Sequence, residues 1–215
     1  MSEILTTVAA ALPIAAGWSV HSLRLRRRVE AARRDPLTGL PTRDAFTERA
    51  ARTLAKAPTA IYVIDLVRFK QVNDTHGHAA GDAVIRASGE RLAAWARAHE
   101  GMAARLGGDE FAAFTRVHSH QDHVQQPKDL AWALEQPVRF EGQKLTVEAS
   151  IGTVAHSPAD GADLPTLMRI ADEQMYAAKR IGIPWLNALN LESTDATVNG
   201  RRHGRPGTAG WDGAG

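Results

Sequence analysis

The chain has 215 residues, 44% of them apolar and 23% charged, and a formal net charge of +2. That suffices for one domain of ordinary size with appendages, and it excludes a disordered chain or a globally basic nucleic-acid binder. There is no cysteine, so disulfides and thiolate metal sites are excluded and any metal is held by oxygen or imidazole.

In chain order, "ILTTVAAALPIAAGWSV" at 4–20 carries no charge, and "RLRRR" comes next at 24–28. The run is at the lower limit for a membrane-spanning helix, and Pro13 and Gly17 weaken it. Basic residues behind it would hold that end, and the domain beyond it, in the cytoplasm. They come after the apolar run rather than before it, which disfavours a cleaved signal peptide. The expectation for 1–34 is a membrane anchor with a basic linker; an amphipathic or dimerising helix is the alternative. The other end, 187–215, is rich in Gly, Thr and Arg with almost no apolar period, and is expected to be a disordered tail.

Between them, "DPLTGLPTR" (35–43) is turn chemistry. Phe46, Ala50 and Leu54 at i, i+4, i+8 predict a helix to about residue 56. "TAIYVIDL" (59–66) is the apolar, β-branched run of a buried strand. A polar loop, "RFKQVNDTHGHAAGD" (68–82), leads into a helix to about residue 99, where Val84, Leu92 and Trp95 share a face. "MAARL" and "FAAFTRV" predict two strands joined through Gly107, Gly108, Asp109 and Glu110, since glycine tolerates the positive φ of such turns. A short helix over 128–135 precedes a second hairpin in "VRFEGQKLTVEASIGTVA", with Glu141–Gly142 as its turn. A last helix starts at an Asp163 cap, buries Leu164, Leu167, Ala171 and Met175, and stops at Gly182.

This order is the split βαβ arrangement of an α+β, ferredoxin-like palm: a central antiparallel sheet with helices on one face. In such a sheet the strand end at Asp65 and the turn at Asp109 and Glu110 can be neighbours. Converged carboxylates are costly unless protonated or neutralised by a hard cation. Mg²⁺ commonly uses one or two carboxylates plus substrate phosphates. Gly107 and Gly108 leave room for a phosphate to reach the backbone, and Lys70 can add positive charge. The spacing suggests metal-assisted phosphoryl chemistry on a nucleotide, although such a turn is often a turn and nothing more.

"RLGGDEF" (105–111) resembles the name-giving motif of the GGDEF family, the diguanylate cyclases. The likeness spans about residues 35 to 183 and includes "DPLTGLPTR", "IDLVRFKQVNDTHGHAAGD" (64–82), "EASIGTVA" (148–155) and "ADEQMYAAK" (171–179). It implies a catalytic domain over 35–186 that condenses two GTP into cyclic di-GMP and two pyrophosphates, between two antiparallel subunits of a homodimer. By resemblance, Asp65, the Leu66 carbonyl, Asp109 and Glu110 hold Mg²⁺ or Mn²⁺, and Asp109 also matches the base for the 3′-hydroxyl. Lys70 offsets transition-state charge. Phe69, Asn73, His78 and Asp82 fall on the guanine side, Gly107 and Gly108 on the substrate, and Lys179 on the phosphates. A carboxylate and an Asn suit guanine N1–H and its 2-amino group. Outside the resemblance, Asp82 reads as an N-cap, His78 as a loop residue and Lys179 as a solvated helix-end cation.

The chain departs from the family pattern in three places. Val67 replaces a second Asp after the strand, with little expected effect. Ile183–Pro184 stand where relatives usually carry Arg-Asn, so phosphate affinity falls unless Arg180 substitutes. The Arg-x-x-Asp product-inhibition motif would fall at Ala98 and Gly101, and neither matches, so no such site is expected. The reading is an active diguanylate cyclase; the alternative is a degenerate GTP-binding or protein-interaction module.

Overall fold

The computed structural model describes residues 32–188, together with Trp18, His21, Arg24 and Glu30. Apart from Trp18, Asn187 and Ala188, the expected membrane segment and tail lie outside the described residues. Among the described residues, no helix is long and apolar enough to cross a membrane.

The elements run α1 (Arg43–Leu54), β1 (Thr59–Val67), α2 (Phe69–His76), α3 (His78–Ala98), β2 (Met102–Gly107) and β3 (Glu110–Arg116). Then come α4 (Asp122–Leu134), β4 (Val138–Phe140), β5 (Gln143–Leu145), β6 (Glu148–His156), α5 (Leu164–Ile181) and β7 (Trp185–Ala188). Five strands form the central sheet in the order β2-β3-β1-β6-β7, and β4 and β5 form a separate hairpin.

Strand β1 is the axis of the domain. Every residue from Thr59 to Leu66 is buried, so its apolar residues face two cores. Ala60, Tyr62, Ile64 and Leu66 join Val84, Ile85 and Leu92 of α3 and Leu130 and Leu134 of α4. Ile61 and Val63 join Phe46 and Leu54 of α1 and Leu167, Ile170 and Met175 of α5. Helices therefore cover both faces, not one as expected. The physical sign was a continuous apolar run, which marks a strand buried on both sides.

Other expectations need correction at their edges. The stretch 68–82 is not a loop: α2 and most of the first turns of α3 occupy it, separated at Gly77, whose φ is +83°. Helix α2 has no fully buried residue, so it shows no strong apolar period. Helix α4 starts at Asp122, six residues before the expected 128, and carries Pro127 inside it. Proline cannot donate to the His123 carbonyl four residues back; that carbonyl instead accepts from Asn187 Nδ2 at 3.4 Å. The hairpin at Glu141–Gly142 is present, with φ of +46° and +79°, as two-residue turns require. Its second arm ends at Leu145, and β6 belongs to the central sheet. Strand β7, which lies parallel to β6, is absent from the sequence reading: four residues after a proline give little pattern.

Two close contacts set where the elements meet. On β6, a Cβ at Gly152 would lie 1.8 Å from the Ala171 carbonyl oxygen and 2.2 Å from the Met175 nitrogen, so only glycine lets α5 lie this close to the sheet. Near the β2–β3 turn, Arg105 Nη1 donates to both Asp35 oxygens at 3.1 Å, and its Nη2 and Nε donate to the Gly108 carbonyl at 2.8 and 3.1 Å. Asp35 also accepts from the Thr38 amide at 2.8 Å and hydroxyl at 2.7 Å. Burial alone would raise the Asp35 pKa, but the Thr38 bonds and the Arg105 guanidinium outweigh it and hold the carboxyl below its ordinary range. One guanidinium thus ties the segment before α1 to the tip of the β2–β3 hairpin.

Because the folded pKa of Asp35 is lowered, its contribution is complete above the unfolded carboxylate pKa and lost as pH falls through the folded value. Asp35→Asn is expected to cost about 2 kcal/mol at neutral pH and to flatten the loss of stability below about pH 4, as read by denaturation across pH. Gly152→Ala is expected to cost about 3 kcal/mol or more through overpacking against backbone, measured by chemical denaturation.

Candidate active site

Asp65 and Leu66 end the buried part of β1, just before the chain turns to the surface. It pairs directly with Glu110 on β3 and with Ser150 on β6. The Leu66 amide donates to the Asp109 carbonyl at 3.3 Å. The acidic turn and the strand tip are therefore adjacent, as the sequence reading requires. Asp65 keeps the alternation of Ile61 and Val63, so its side chain faces α5.

Lys179 of α5 meets it there. Its Nζ donates to Asp65 Oδ1 at 2.6 Å. The Asp65 side chain is 10% exposed and that of Lys179 42%, so the cation sits at the solvent edge of a nearly buried carboxylate. Lys179 is thus no mere solvated helix-end charge; it compensates a charge that would be expensive alone. This contact depends on the close seat of α5 at Gly152.

The turn itself is open. Gly107 and Gly108 are exposed, with φ of +145° and +53°, and an added Cβ at either would have nothing within 4 Å. The pairing shifts register between Arg105 and Gly107; such irregularities re-aim the residues beyond them. Asp109 and Glu110 are half-buried beside it.

The remaining candidates lie on α2 and α3, and α2 begins three positions after Leu66. Arg68 makes the transition in one left-handed residue, with φ of +60°. Lys70 is exposed, and Phe69 and Asn73 are half-buried one turn apart. His78 opens α3 and Asp82 lies one turn on, both exposed. The N-cap of α3 is Gly77, so Asp82 is not a cap. Ile183 is 37% exposed, and Arg180 sits exposed in the last turn of α5. A groove of about 430 Å³ beside α2, lined by Val67, Arg68, Gln71, Thr75, Lys144 and Glu148 among others, includes none of the candidate residues.

Among the described residues, no group of three or more His, Asp or Glu is placed so that it could by itself hold a metal ion. One or two carboxylates at this sheet end are the kind of oxygen donor that Mg²⁺ takes when water and phosphate oxygens complete its shell. Asp65 is already paired with the Lys179 ammonium. Sequence reasoning missed Asp35, Arg105 and Gly152 as supports of the site. An arginine inside an otherwise apolar strand was the available sign for Arg105.

Comparison with known proteins agrees with this geometry. The family model described as "Diguanylate cyclase, GGDEF domain" matches residues 32–183. An uncharacterized 19.3 kDa protein in the repSA 5′ region of Streptomyces ambofaciens is 44% identical over 174 residues, covering 80% of this chain and 92% of that one. Diguanylate cyclase TpbB of Pseudomonas aeruginosa is 36% identical over 157 residues, 69% of this chain but only 35% of TpbB. The coiled coil and GGDEF domain of DgcB from Caulobacter crescentus, solved in complex with c-di-GMP, superposes with a TM-score of 0.72 at 27% identity, covering 83% of this chain and 98% of that structure. A palm-fold sheet ending in an acidic glycine turn, matched along nearly its whole described length, places the chain in the GGDEF-domain diguanylate cyclase family.

Proposed function

We propose that the chain is an active diguanylate cyclase, which joins two GTP into cyclic di-GMP and releases two pyrophosphates. The observation that carries this reading is the pairing of Asp65 with Glu110, with the Asp109 carbonyl bonded to the Leu66 amide. It gives one sheet edge the carboxylates that a nucleotide-bound cation needs.

In each half-reaction the 3′-hydroxyl oxygen of one GTP forms a bond to the α-phosphorus of the other, and the bond from that phosphorus to pyrophosphate breaks. Each subunit of an antiparallel homodimer holds one GTP. Asp65, Asp109, Glu110 and the Leu66 carbonyl would hold Mg²⁺ or Mn²⁺, which when bound neutralises phosphate charge and lowers the hydroxyl's pKa. Asp109 is the carboxylate nearest in role to a proton acceptor. Lys70 offsets charge as the phosphoryl group transfers, and Lys179 binds phosphate oxygens. Gly107 and Gly108 let the phosphates approach the turn. Phe69, Asn73, His78 and Asp82 recognise guanine, whose N1–H and 2-amino donors adenine lacks.

Ile183 favours a second reading, a GTP-binding or interaction module that no longer cyclises, since an exposed apolar residue replaces a phosphate-binding arginine. Incubating the purified chain with GTP and Mg²⁺ separates the two. Cyclic di-GMP formation that disappears in Asp109→Ala is the expected result; GTP binding with no product would favour the module.

Product inhibition is not expected at Ala98 and Gly101. A Cβ at Gly101 would lie 1.9 Å from the Phe114 carbonyl oxygen, which leaves no room there for an aspartate. Initial rates measured with added cyclic di-GMP should show no noncompetitive inhibition.

A further inference from the structure

We propose that Gly81 is a positioning residue for Asn73, and through it a determinant of base selectivity; this rests on the reading of Asn73 as a guanine contact. Gly81 is the fourth residue of α3 and is buried. A Cβ there would lie 1.9 Å from Asn73 Oδ1 and 2.9 Å from Asn73 Cγ, and 3.1 Å from Phe69 Cζ. The space a side chain would take at this position is filled by the Asn73 amide.

That arrangement has a reason. A glycine inside a helix is unfavourable relative to alanine, so α3 gives up stability at this position. Among the described residues, the Asn73 side chain makes no hydrogen bond to the protein. Its amide is therefore seated by shape in the hollow at Gly81, which Phe69 Cζ also borders, with its donor and acceptor unspent. Asp82, the next residue, lies on the exposed side of the same helix. The amide of α2 thus meets α3 at the residue next to Asp82, the other group assigned to the base.

The contact that alanine would violate is the end of a flexible side chain, not backbone. Gly81→Ala is resolved by turning the Asn73 amide away, with α3 intact. A merely structural glycine would behave otherwise, since its replacement would disturb the helix pair.

The experiment uses the full chain and reads GTP, ITP and ATP affinity by equilibrium binding, with KM and kcat for GTP and the thermal midpoint. ITP lacks the 2-amino group. Gly81→Ala is expected to keep or raise the midpoint, to weaken GTP binding about tenfold, as loss of one base-reading hydrogen bond does, and to narrow the preference for GTP over ITP and ATP. KM should rise while kcat at saturation holds within a few-fold. In an Asn73→Ala background, adding Gly81→Ala should change GTP affinity no further, because alanine at 73 ends short of the hollow. Unchanged GTP affinity in Gly81→Ala, or an equal further loss in the double variant, would overturn the proposal alone. If Asn73→Ala itself binds GTP like the wild type, the guanine assignment falls and the proposal falls with it.

Discussion

The register between β1 and β3 is the constraint on which the site depends. Side chains alternate along a strand, so a slip of one residue would turn Asp65 from α5 toward the other core and move Ile61 and Val63 with it. Burial on both faces makes such a slip prohibitive: Tyr62, Ile64 and Ile61 are all fully enclosed. The hydrophobic core thus decides where a carboxylate meets a glycine turn. The polar chemistry at the sheet edge inherits its accuracy from apolar packing several residues away.

Two cations hold the acidic edge from opposite directions in the chain. Lys179 arrives from the last helix and bonds Asp65, while Arg105 arrives from β2 and bonds Asp35 and the Gly108 carbonyl. The first neutralises a nearly buried charge. The second bonds the backbone of the turn at the Gly108 carbonyl, beside two exposed glycines. The Arg105 guanidinium thus bonds the segment before α1 and the turn at once.

Much of this was legible from local pattern. The strand 59–66, the Phe46–Ala50–Leu54 stripe, the Asp163 cap, which accepts from the Thr166 amide at 3.0 Å, and the Gly182 stop all come from spacing and turn chemistry. The features that escaped have physical causes. Helix α2 lies on the surface with no fully buried residue, so apolar period could not reveal it. The helix expected over 128–135 starts six residues earlier, with Pro127 inside it, because the freed carbonyl is rescued by Asn187, a residue 64 positions away. The partner of Arg105 lies 70 positions away, and the close seats at Gly152 and Gly81 exist only after the helices dock. The acidic turn and its strand were readable; the supports that aim them were not.

The single left-handed residue at Arg68 divides the site mechanically. Before it, Asp65 and the glycine turn share the stiffness of a five-stranded sheet. After it, Lys70 and Asn73 ride on a two-turn helix that packs on α3 and lays Phe69 and Val72 against the core. A nucleotide bound across that boundary, as proposed, would rest its phosphates on the sheet and its base on the α2–α3 pair. The two ends of such a ligand would then be held by elements that pack separately and are joined by one turn of the backbone.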